Sequence, residues 1–240
     1  MAGQHWQRAA GPSGRFESTF IIERVNSDER LLVNEIFYSI QGESSFSGYP
    51  CVFVRLTACN LRCVYCDTQY AFHEGRWIPI EDILAEVLEF QTPLVEITGG
   101  EPLLQKPVHS LVSNVLEAGK QVLIETGGSL DISGVDPRAI LIYDIKCPDS
   151  GMAEKNRWEN LEQLRNHDEI KFVISSRQDY EWAVQILTER RLALRHIVLF
   201  SPAWNILAPD QLAGWILEDR LPVRLQVQLH KVLWGERRGV

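Results

Sequence analysis

Cys51-Val52-Phe53-Val54-Arg55-Leu56-Thr57-Ala58-Cys59-Asn60-Leu61-Arg62-Cys63-Val64-Tyr65-Cys66 is an apolar run that opens into a loop carrying three cysteines. Short apolar runs of this kind read as strands of a parallel sheet. Comparable runs follow at 94–97, 121–125, 140–143, 169–174, 196–200 and 223–228. Helical patterns lie between them at 79–91, 105–118, 158–166, 178–190 and 209–219. Several of these start on proline or an acidic first turn, as in Pro79-Ile80-Glu81-Asp82 and Pro209-Asp210, and the second stops at Gly119. Strand–helix alternation predicts an α/β fold, a parallel sheet with its helices outside. The interval 67–77 is too short and irregular for a crossover helix. A compact loop is therefore expected in its place, and the architecture becomes a partial, open (βα) TIM-like barrel rather than a closed one.

Cys59, Cys63 and Cys66 are spaced at gaps of three and two residues. Three thiolates can hold three corners of a [4Fe-4S] cube and leave the fourth iron free, whereas four would make a closed electron-transfer site. Cys51, in the strand, and Cys147, far downstream, do not share the loop and read as buried thiols. Zinc is the competing reading. His73 is the nearest residue able to complete a tetrahedron, although structural zinc sites favour two close-set pairs.

Ligands gather outside the carboxyl ends of parallel strands. The cysteine loop, Thr98-Gly99-Gly100-Glu101, Thr126-Gly127-Gly128-Ser129 and Asp144-Ile145-Lys146 each follow a predicted strand, so all four loops fall on one rim. Gly99 and Gly100 let the backbone approach a ligand closely. Gly127-Gly128 reads as an ordinary turn.

At 240 residues the chain holds one large core and is too short for two ordinary enzyme domains. The expected division is a flexible N-terminal extension over 1–30 and a single domain over 31–240. Acidic residues outnumber basic ones by 32 to 24, giving a formal charge of −8, which argues against a nucleic-acid grip and for a small substrate. Five cysteines without a disulfide-like spacing, no leader-like apolar segment and no apolar run of membrane-spanning length point to the cytoplasm and away from a membrane.

The CxxxCxxC triplet with Tyr65 before its last cysteine, followed by Ile97-Thr98-Gly99-Gly100-Glu101-Pro102, resembles the radical S-adenosylmethionine (SAM) enzymes. A narrower resemblance joins Asn34-Glu35-Ile36-Phe37-Tyr38-Ser39-Ile40-Gln41-Gly42-Glu43, Phe53-Val54-Arg55-Leu56 and the triplet with Asp67-Thr68 to the 7-carboxy-7-deazaguanine synthase family. It runs from about Asn34 to the C-terminus.

That resemblance implies one [4Fe-4S] cluster held by Cys59, Cys63 and Cys66, with SAM chelating the open iron and cleaved by an electron from the cluster. It implies a pterin substrate, 6-carboxy-5,6,7,8-tetrahydropterin, contracted to 7-carboxy-7-deazaguanine with loss of ammonia, on the route to queuosine. By position, Tyr65, Cys66, Asp67, Gly100, Asp144, Ile145 and Lys146 would lie against SAM. Ile40, Gln41, Gly42, Arg55 and Thr98 would contact substrate, Arg55 pairing with its carboxylate, and Thr68 would touch Mg2+. The resemblance further implies a small flavodoxin or ferredoxin as electron donor and a homodimer.

Three features depart from the family pattern. Tyr65 stands where many relatives carry Trp, Ala58 where some carry Gly, and the segment before Asn34 is longer than the family needs. Gln228-Leu229-His230-Lys231 resembles the family's closing segment, which would bring the residues through Val240 over the substrate. Two alternatives remain at this stage: an activase of a glycyl-radical enzyme, which shares the triplet and glycine motif, and a non-catalytic zinc-binding module.

Overall fold

Strand side chains alternate between the two faces of a sheet, and that alternation sets the layout. The computed structural model describes residues 29–240. The elements are β1 (Arg30–Ile40), β2 (Pro50–Leu56), β3 (Arg76–Pro79), α1 (Ile80–Glu89), β4 (Leu94–Gly99), α2 (Val108–Glu117), β5 (Gln121–Thr126), β6 (Ile140–Ile145), β7 (Glu169–Ile174), α3 (Arg177–Glu189), β8 (Ile197–Pro202), α4 (Pro209–Glu218), β9 (Arg224–Leu225) and α5 (Leu229–Trp234). They form one sheet in the order β3-β1-β2-β4-β5-β6-β7-β8-β9.

From β2 to β9 every pairing is parallel. The sheet does not close, and the expected open partial barrel is the fold. Val52, Val54, Val95, Ile97, Val122, Ile124, Leu141, Ile170, Phe172, Val198 and Phe200 point from alternate positions into one core shared with the helices. On the opposite, concave face Cys51, Phe53, Leu94, Leu123, Ile140 and Ile142 make a smaller apolar cluster.

Several expectations need correction. The sheet is not purely parallel: β1 pairs antiparallel with both β2 and β3. The segment 158–166 is not an α-helix, and only a 3-10 turn at Trp158–Glu162 forms. The buried Asn160 side chain there is committed to the Leu130 carbonyl at 2.7 Å, and the Arg165 N–H is taken by the Asp168 carboxylate at 2.7 Å. The second of these takes a backbone donor that a continuing helix would use. The run 223–228 shortens to Arg224–Leu225, and beyond it the Gln226 and Gln228 side-chain amides donate to Glu43. Of the proposed extension 1–30, all but the last two residues lie outside the described ones, and Arg30 already opens β1.

The irregular interval after β2 holds a 3-10 turn, Gln69–Phe72, and then β3, before α1 begins. No helix among the described residues is long and apolar enough to cross a membrane.

Candidate active site

Backbone hydrogen bonds hold the cysteine loop in shape. Leu56, the last residue of β2, pairs in register with Gly99, the last of β4. Gly99 has φ +146°, and a Cβ there would fall 2.2 Å from the Leu56 carbonyl oxygen, so only glycine lets the two strand ends meet. The next two amides reach back into the cysteine loop: Gly100 N–H donates to Leu56 O at 3.1 Å and Glu101 N–H to Ala58 O at 2.9 Å. Arg62 donates to the Cys59 and Leu61 carbonyls, both at 2.7 Å, with its guanidinium stacked 4.3 Å over the Phe72 ring. The glycine motif thus shapes the loop that presents the thiols.

Cys59, Cys63 and Cys66 are free, partly exposed, and line one cavity on the concave rim. Cys51 and Cys147 are fully buried and do not line it. Burial pushes the Cys59 and Cys63 thiols up, so metal binding there must displace protons. A triplet of thiols facing one space, with no fourth cysteine lining it, fits a cluster with one open corner. Thr68 lines the same cavity, its hydroxyl 3.8 Å from Cys66 Sγ. Among the described residues no three His, Cys, Asp or Glu converge tightly enough to cage a single metal ion.

Glu101 ties two rim loops together. Fully buried, its carboxylate accepts from Leu103 N–H at 3.0 Å, Thr126 Oγ1 at 3.0 Å and Gly127 N–H at 2.8 Å. Beyond it, Lys146 Nζ donates to Asp144 Oδ2 at 2.8 Å. Burial alone would lower the Lys146 pKa, and the Asp144 carboxylate reverses that. Asp144 Oδ1 is buried with no partner among the described residues, which leaves an acceptor for a bound ligand.

Ile40, Gln41, Arg55, Tyr65, Asp67, Thr98, Gly100, Asp144 and Lys146 all line the cavity with the three cysteines. Two expected residues do not. Ile145 alternates to the helix side and is buried in the main core, which leaves its backbone as the part near the rim. Gly42 lies beneath the C-terminal segment, where its carbonyl accepts from Leu229 N–H at 2.9 Å and a Cβ would strike His230 Nδ1 at 2.1 Å. Arg55 sits on an inner strand of the sheet with its side chain only 14% exposed, so it is not a solvated edge charge.

The floor of the cavity was missed by the sequence reading. Glu96, Glu125 and Lys171 face inward from β4, β5 and β7, joined by Glu43 from the loop after β1. Lys171 Nζ donates to Glu43 Oε2 at 2.9 Å and also to Glu125 Oε1, while Gln41 Nε2 donates to Glu96 Oε2. Burial pushes the Glu43 carboxyl up, but Lys171, His230 and two amide or ammonium hydrogen bonds bring it down to about 2. Burial and the neighbouring Glu125 and Glu43 hold Glu96 well above the usual carboxylate range. A signal for most of these residues was present. Glu96 and Lys171 are charged side chains interrupting apolar strand runs, in Leu94-Val95-Glu96-Ile97 and Glu169-Ile170-Lys171-Phe172, and Glu125 directly follows one, whereas Glu43 lies in a polar loop and carries no such signal.

Trp204, Gln228, His230 and Val240 complete the lining. The chain end is strapped down by Lys231 Nζ to Asp67 Oδ2 at 3.1 Å, by Arg238 Nη1 to Glu74 at 3.1 Å, and by the Arg238 guanidinium 3.7 Å over the Tyr70 ring.

Comparison with known proteins agrees with this geometry. Residues 54–141 match the model of the Radical SAM superfamily. A 7-carboxy-7-deazaguanine synthase of Chlorobaculum tepidum is 46% identical over 220 residues, covering 90% of this chain and all of that one. A protein of the same name from Koribacter versatilis is 46% identical over 226 residues, covering 88% of this chain and all of its own. In structure, the fold is similar to that of QueE from Escherichia coli, with a TM-score of 0.70 at 23% identity over 84% of this chain and 95% of that one.

Proposed function

Because the chain belongs to the 7-carboxy-7-deazaguanine synthase family of radical SAM enzymes, we propose that its concave rim converts 6-carboxy-5,6,7,8-tetrahydropterin to 7-carboxy-7-deazaguanine and ammonia. The supporting observation is one cavity holding three thiols without a fourth, an arginine beside them and a charged floor. With relatives of that name aligned along nearly the whole chain, the activase and the zinc-binding module give way.

When bound, the cluster and SAM supply the radical that starts the ring contraction. The chain's own residues bind and orient. Cys59, Cys63 and Cys66 hold the cluster, and the Gly100 backbone, Tyr65, Asp67, Asp144 and Lys146 receive SAM. Asp144 Oδ1, buried with no donor among the described residues, would suit the ammonium or a hydroxyl of that cofactor. Ile40, Gln41 and Thr98 border the substrate, and Arg55 meets its carboxylate, since a guanidinium donates two parallel hydrogen bonds to a planar acceptor. Thr68, which lines the cavity, would offer Mg2+ one hydroxyl oxygen, a weak ligand that needs oxygens from elsewhere beside it. His230 and Val240 of the C-terminal segment border the cavity and would lie against the bound substrate. A flavodoxin- or ferredoxin-like electron donor, a homodimer and a cytoplasmic setting belong to the same reading.

The test is anaerobic reconstitution followed by incubation with the carboxypterin, SAM, Mg2+ and a reductant. Deazaguanine product is expected together with about four irons per chain, the count of such a cluster. Changing any one of Cys59, Cys63 or Cys66 to Ala removes SAM cleavage. A fully loaded protein that makes no product refutes the substrate assignment.

A further inference from the structure

Glu35 on β1 lies opposite Arg55 on β2, directly after a register shift between Val33 and Glu35. Such a bulge re-aims the side chain that follows it. Glu35 Oε1 accepts the Arg55 Nε–H at 2.8 Å and the Tyr70 hydroxyl at 3.1 Å. The Arg55 and Glu35 side chains are 14% and 21% exposed, and the rings of Phe37 and Tyr70 lie 5.8 and 5.9 Å from the guanidinium carbon. The arginine is therefore fixed on its Nε side by a carboxylate and flanked by two aromatic rings.

A guanidinium can grip a carboxylate along its Nε–Nη edge or across its two Nη groups. Glu35 takes Nε. The Nη pair has no hydrogen-bond partner among the described side chains, and Arg55 lines the cavity. We infer that Glu35, held by Tyr70, is the positioning residue that turns the Nη end of Arg55 toward the substrate carboxylate, giving the site its selectivity for a carboxylated pterin. The inference rests on the assignment of Arg55 to that carboxylate. Burial alone would ease the proton off Arg55, and the Glu35 carboxylate beside it keeps it on. Orientation is the function, because an extra negative charge beside the arginine does not itself attract an anion.

This separates geometry from charge. Glu35→Gln keeps an acceptor for Nε–H without the charge, whereas Glu35→Ala removes both. The measurement is equilibrium binding of 6-carboxytetrahydropterin and of tetrahydropterin, which lacks the carboxylate, to reconstituted enzyme with SAM and Mg2+. Glu35→Ala is expected to weaken the carboxypterin about tenfold and leave tetrahydropterin unchanged, while Glu35→Gln stays within about threefold of the parent. In an Arg55→Ala background Glu35→Ala produces no further loss, since Glu35 acts only through Arg55. Tyr70→Phe shows a smaller selective loss and serves if Glu35→Ala does not fold. If Arg55→Ala discriminates between the two pterins but neither Glu35→Ala nor Tyr70→Phe does, Glu35 has no positioning role and Arg55 keeps its assignment. If Arg55→Ala itself fails to discriminate, the carboxylate assignment falls, and the role of Glu35 falls with it.

Discussion

Gly100→Ala should damage the site more than any surface change, and the structure says how. A Cβ at Gly100 would lie 2.2 Å from the Ala58 carbonyl oxygen, 2.6 Å from its carbon and 2.8 Å from Cys59 Cβ. Two of the three obstacles are backbone and the third is the stem of a cluster ligand, so no flexible tip can swing aside. To reach even a 3.0 Å contact, the Ala58–Cys59 segment must retreat by roughly 0.8 Å. That segment is anchored by Ala58 N–H to Ala71 O at 2.9 Å and by Glu101 N–H to Ala58 O at 2.9 Å, so it resists. Overpacking of this kind costs about 1–3 kcal/mol, and with rigid neighbours the upper end applies. A loss of about 3 kcal/mol lowers Tm by roughly 6–12 °C in a chain of this size. The assay is thermal unfolding of the apoprotein, followed by iron content and SAM affinity after reconstitution. Gly214→Ala is the control: nothing lies within 4 Å of the added methyl, the site is interior to α4, and a gain of about 0.5–1 kcal/mol is expected. A Gly100→Ala protein with the parent Tm, full iron content and unchanged SAM affinity would refute the close-approach argument.

The charged floor makes two further predictions. Lys171→Met strands Glu43 and Glu125 without their ammonium partner and should cost about 3–5 kcal/mol at pH 7 in denaturant titrations. Glu43, held at about 2 against an ordinary 4.5, contributes stability that is present above about pH 4.5 and lost as pH falls toward 2. Its partner is gone in the variant, so the two stability curves should converge on acidification, and parallel curves would count against the ion pair. Glu96 has the opposite sign. Its raised pKa contributes stability that is full below 4.5 and declines as pH rises through the folded-state value. Glu96→Gln, which keeps an oxygen for Gln41, should therefore be neutral near pH 4 and stabilising by about 1 kcal/mol or more at pH 8. A stability loss at pH 8 would contradict this.

The parallel βα core was legible along the chain, because apolar runs and amphipathic stretches must bury their faces against each other whatever the distant chain does. The thiol triplet was legible too, since its members are close in sequence, and the glycine motif was visible although its partners Leu56 and Ala58 are met only across the β2–β4 pairing. Features that depend on distant pairing emerged only on folding. β1 joined the sheet antiparallel, in a register that set Glu35 against Arg55. In segment 158–166 the Asn160 side chain reaches out to the Leu130 carbonyl and the Arg165 N–H is taken by nearby Asp168, and only a 3-10 turn forms. The charged floor assembled from strands that meet only in the sheet. Glu96, Glu125 and Lys171 were each visible as a charged residue in or directly after an apolar run, but a period of two leaves open which face is concave, and only the folded sheet brings the three inward faces to one place.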